Sequence, residues 1–160
     1  MAGFWIASQG GEIIQNADTI NNYAGPKYDF RVLGTRALHS KHYERAVSHF
    51  SSALMDNPSD ADLHYYIALA LLRGRRPNRQ SKQNLEDITR HLGEAASLPH
   101  AMVLYALVIE DYNLTWQQYT SIPAALVKLT RAVDGERRRE ILGHVPAPEA
   151  RIWKELRRRG

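Results

Sequence analysis

The chain has 160 residues, 44% of them apolar and 24% charged, with a formal charge of +4. This is the size and composition of one folded domain with a sizeable core, and it excludes a disordered chain. Cysteine is absent, so disulfides and thiolate metal centres are excluded, and no apolar run approaches the length that a bilayer requires.

Three textures follow one another along the chain. Residues 1–26 are rich in Gly, Asn, Gln and Ser and lack a helical period, which predicts a non-helical arm, either flexible or strand-like. Its start, Met1-Ala2-Gly3-Phe4-Trp5-Ile6-Ala7, lacks the basic and long apolar regions of a secretion signal, so a cytoplasmic location is expected. The stretch from Gly10 to Gly25 mixes Asn and Gln with β-branched residues, a composition that can pair as strands.

From residue 27 to 134 apolar residues recur at helical spacing. Phe30 to Leu38 carries one stripe, His39-Ser40-Lys41-His42 breaks it, and Tyr43 to Met55 carries another with Ala46, Phe50, Ala53 and Leu54 on one face. Pro58 ends that helix, and Ser59 with Asp62 reads as a capping box for the next. Asp62 to Arg73 predicts a third helix and a polar loop runs from Gly74 to about Gln83. A fourth helix uses Ile88, Leu92 and Ala95 and ends near Pro99. A fifth begins at about His100 with Tyr105, Val108 and Tyr112. After a loop from Thr115 to Ile122, Ala125, Leu129 and Ala132 repeat the spacing of Ala46, Phe50 and Ala53.

Residues 135–160 are basic. Glu136 to His144 predicts a short helix with Ile141 and Leu142 inward, and Glu149 to Arg159 predicts a last one with Ile152, Trp153 and Leu156 on one stripe. Arginines cluster at Arg73, Arg75, Arg76 and Arg79, at Arg137 to Arg139, and in Arg151 to Arg159. Such clusters either contact phosphates and acidic surfaces or are solvated faces. Interleaved Glu136, Glu140, Glu149 and Glu155 favour solvated faces, so nucleic acid is not the expected partner.

The run Phe30, Leu33, Gly34, Tyr43, Ala46, Phe50, Ala53 and Pro58 resembles the tetratricopeptide repeat (TPR), with Ala37 as its one departure. Degenerate copies follow, making about three repeats. The resemblance implies an all-α, right-handed superhelix of antiparallel helix pairs, closed by the C-terminal helix as a cap. It also implies a non-catalytic scaffold that binds a peptide or partner protein on its concave face, lined by Arg31, Thr35, Asp62, Tyr65, Leu69, Arg73, Ala106 and Glu110. The N-terminal arm resembles short Gly-Asn-Ile-Gln motifs beside bacterial signalling and defence domains, some amyloid-forming. That implies self-assembly of a homo-oligomer through Ile13, Ile14, Ile20 and Tyr23.

No catalytic constellation stands out, and no cofactor, metal or membrane is expected. His39, His42, His49 and His64 lack an acidic or thiolate partner at a diagnostic spacing and are expected to face solvent. Gly10-Gly11 and Leu33-Gly34 follow no strand and form no phosphate loop.

Overall fold

The computed structural model describes residues 28–115 and 122–159, and these are all-helical, with no strand among the described residues. We number the helices α1 (Phe30–His39), α2 (Tyr43–Asp56), α3 (Ala61–Leu71), α4 (Lys82–Glu94), α5 (Pro99–Thr115), α6 (Ala124–Leu129), α7 (Gly135–His144) and α8 (Arg151–Arg158). Two single turns of 3₁₀ helix, Pro77–Arg79 and Thr130–Ala132, precede α4 and follow α6. No helix among the described residues is long and apolar enough to cross a membrane.

Local chemistry sets most of the boundaries. Asp29, Ser81 and Asp134 cap α1, α4 and α7, each side chain accepting from a backbone N–H three residues on. The cap of α3 is Asp60, which accepts from the Leu63 N–H at 3.1 Å, and not Ser59 as the capping-box pattern suggests. The α1–α2 turn closes with the Lys41 N–H on the Leu38 carbonyl at 2.9 Å and the His42 N–H on the Ala37 carbonyl at 2.8 Å. These are the two bonds of a Schellman turn, and they place Lys41 at φ 59°, the left-handed region usually left to glycine.

The α1–α2 hairpin closes on one contact. Phe50 is fully buried, stacked on Tyr66 of α3 with ring centroids 5.0 Å apart, and its edge lies against Gly34 of α1. A Cβ at residue 34 would stand 2.5 Å from Cδ1 and Cε1 of that ring, so only glycine allows this approach. In the next pair Ile88 and Leu92 of α4, and Ala95 just past its end, are all fully buried, as their spacing predicts.

The third pair departs from expectation. Ala125 and Ala132 are exposed, and the helix that should carry them breaks after Leu129 into a 3₁₀ turn. The buried Thr130 hydroxyl donates to the Val127 carbonyl at 2.7 Å there, a side-chain bond that competes with continued helix. α8 then packs against α5 and α7 with Ile152 and Leu156 fully buried, and one core runs from Ala37 to Leu156.

Gly34→Ala should cost about 1–3 kcal/mol through overpacking against Phe50, read as a lowered urea midpoint. Adding Phe50→Leu should return part of the loss. An unchanged midpoint in Gly34→Ala would refute the close approach.

Candidate recognition face

α3 is the centre of the stack and is buried all round. Leu63 through Ala70 are buried without interruption, and Leu72 is too. Tyr65, expected on the open concave side, is 0% exposed. What covers it is α7, held by three tyrosines of α2 and α3, together with His100 of α5, whose ring stands edge to face with centroids 4.5 Å apart.

The Tyr65 hydroxyl donates to Oε2 of Glu140 at 3.3 Å. The same oxygen takes the Arg137 Nη1 at 3.0 Å, and that nitrogen also reaches the Tyr66 hydroxyl. The Arg137 guanidinium lies over both rings, 5.7 Å from the Tyr65 centroid and 5.0 Å from that of Tyr66, which adds a cation–π attraction. At the other end of α7, the Tyr43 hydroxyl meets Nδ1 of His144 at 3.0 Å, with the rings edge to face. Burial, and after it the Glu140 charge, push the Tyr65 hydroxyl well above its ordinary value, so it stays protonated and serves as a donor.

The residues predicted to line the face therefore divide. Tyr65, Leu69 and Ala106 are buried, a correction of their assignment to an open surface. Asp62 stays half-exposed, 4.0 Å from the Arg137 guanidinium. Glu110 is used within the chain. Its two carboxylate oxygens accept the Arg151 and Ile152 N–H groups at 2.9 Å each and so cap α8, whose own cap residue Ala150 has no side chain to do it. Arg73 is exposed beyond the end of α3 at φ 53°.

Arg31 and Thr35 remain at the open end. Arg31 pairs with Asp60, and Thr35 Oγ1 donates to the Arg31 carbonyl at 2.9 Å. With Val32, Arg36, His39 and Ser40 they line a shallow depression of about 450 Å³ on the solvent side of α1. An adjoining one lies between His39 and Lys41 and the α7 residues Glu136, Arg139 and His144. The residues expected to self-assemble, Ile13, Ile14, Ile20 and Tyr23, lie outside the described residues.

The histidines need one correction. His39 and His42 are exposed, but His64 is buried, because α3 has no solvent side. Its Nε2 lies 2.9 Å from the Pro58 carbonyl, which can only accept. His64 therefore carries its proton on Nε2, and Nδ1 is left to accept the His91 Nδ1–H at 2.8 Å. Among the described residues no group of three or more acidic, histidine or cysteine side chains is placed to hold a metal ion.

Comparison with family models, with curated proteins and with solved structures finds no match for this chain.

Two outcomes follow from these contacts. Glu140→Ala leaves the Arg137 charge and the Tyr65 hydroxyl without their partner and should cost roughly 2–4 kcal/mol; a change near zero in urea unfolding would mean that α7 is held otherwise. Burial, and after it the Arg90 charge, lower the His91 pKa from 6.5 to about 4. The unfolded chain thus binds more protons across that window, and stability falls as pH drops from 6.5 toward 4. His100 and His144 are lowered as well and act in the same direction. His91→Asn should flatten the decline of the urea midpoint, and an equally steep profile in the variant would contradict the assignment.

Proposed function

We propose that this chain is a non-catalytic protein-interaction scaffold, a stack of TPR-like helix hairpins in a right-handed superhelix that recognises a partner segment on its concave side. The observation that carries this reading is the seat of α7. This short helix lies over Tyr65 and Tyr66 and is held by hydrogen bonds at Tyr43, Tyr65 and Tyr66, which supports a face able to seat a helical segment. The full match of Phe30 to Pro58 to the repeat, and the knob of Phe50 against Gly34, support the same reading.

In this conformation the chain fills part of its own groove, so the partner's share is the open side of α1. Val32 is 50% exposed there, an apolar anchor point among cations at Arg36, Lys41 and Arg139. The segment that fits is acidic with an apolar anchor of its own. A longer segment continues over α3 only when α7 is displaced.

Selection of a displayed peptide library on the wild type and on Arg137→Glu tests both parts. Arg137→Glu places like charges beside Glu140 and Asp62 and loosens α7. Acidic peptides with an apolar anchor should be enriched on both proteins, with affinity at least about tenfold higher on the variant if α7 competes for the site. Bound peptide should shift the amide resonances of Val32, Thr35 and Arg36. Absence of enrichment on either protein, or shifts confined to other helices, would overturn the reading.

A further inference from the structure

Two arginine clusters far apart in sequence, the loop after α3 and the helix α8, are fastened to adjacent residues of α5. Asp111, whose side chain is fully buried, accepts from Arg76 Nη2 at 2.6 Å and from the Asn78 N–H at 3.2 Å, which pins the loop. Its neighbour Glu110 holds the first turn of α8 through two backbone N–H groups. Arg76 then joins loop and helix directly, donating to Glu149 Oε2 at 2.6 Å, two residues before α8 begins.

This arrangement sorts the charges. Glu110, Asp111 and Glu149 are occupied by these links, while Arg73, Arg75 and Arg79 of the loop and Arg151, Lys154 and Arg157 of α8 are exposed. None of those six forms an ion pair among the described residues, whereas Arg76 beside them pairs with Asp111 and Glu149, and Arg158 lies 3.8 Å from Glu155. The links through Arg76 set the loop that carries three of these cations beside the start of the helix that carries the others, although the two read as separate solvated runs in sequence.

We propose that this surface binds the phosphate backbone of a nucleic acid, without reading its sequence. Five of the six cations are arginines, whose planar fork pairs with phosphate through two parallel hydrogen bonds. An acidic protein would be anchored by a buried aromatic or aliphatic residue at the centre of its contact. Here Trp153 is already committed, its indole N–H bonded to the Val145 carbonyl at 2.9 Å and its ring covered by Arg157 at 5.6 Å. A lipid surface would need the apolar stripe of α8, and Ile152 and Leu156 are buried in the core. Dense positive charge with no free apolar centre gains its affinity by releasing counterions from a polyanion.

The test is fluorescence anisotropy with the full chain and a labelled single-stranded RNA and a duplex DNA, each of about 20 nucleotides per strand, from about 20 to about 200 mM NaCl. Contact with four or five phosphates predicts a log–log slope of about −3 for the single strand and about −4 for the duplex, or about a thousandfold and about a ten-thousandfold loss across that range. Arg75→Glu with Arg151→Glu, both on exposed side chains, should lower affinity at least about tenfold and flatten the slope by about 2. Arg45→Glu with Arg90→Glu makes the same change of charge on α2 and α4 and should leave affinity within about twofold. No complex at the lowest salt, or equal losses in the two double variants, overturns the proposal. So does displacement by polyglutamate as effective as by unlabelled nucleic acid, which would assign the surface to acidic proteins.

Discussion

Arg137 and Glu140 stand one turn apart on α7, and the contact of α7 with α3 is arranged around them. Removing two charges from water costs free energy that their attraction returns only when geometry is good and the remaining polar atoms find partners. The partners come from α3, where Tyr65 and Tyr66 supply two hydroxyls and two ring faces. Dependence runs both ways, because Tyr65 is wholly buried and its hydroxyl would be orphaned without Glu140. The helix hairpins and the C-terminal segment are thereby one cooperative body, with a core that continues from α1 into α8.

α5 plays the corresponding part on another side. Its adjacent Glu110 and Asp111 each satisfy backbone N–H groups of a distant segment, one at the start of α8 and one in the loop after α3. Carboxylates used in this way position chain, and the arginines left over face solvent.

The sequence made the hairpin units legible where their determinants are local. Pro58 and the helical spacing place α1 to α3 to within a residue or two, since each acts over a few positions, while α4 ends at Glu94, well before the Pro99 expected to end it. It did not reveal what covers Tyr65, because α7 reaches it from far along the chain and no periodicity encodes that contact. One signal was present. Tyr65 through Leu72 is an unbroken apolar run, and a helix apolar all round is covered all round. The same signal accounts for His64, which lies in that helix and is buried with it. The role of Glu110 had no such signal, since an N-cap supplied from another helix leaves no local pattern. In the third pair the spacing of Ala125, Leu129 and Ala132 was real, but Thr130 diverts the backbone before the spacing can be used.

The turn between α1 and α2 carries a consequence of its own. A lysine in the left-handed region is strained by roughly 1–2 kcal/mol relative to the right-handed one, and glycine at that position would relieve it. Yet Lys41 also borders the depression beside Arg139 and His144. The strained backbone therefore sets a lysine beside that depression, and a more stable turn with glycine would come with one positive charge fewer there.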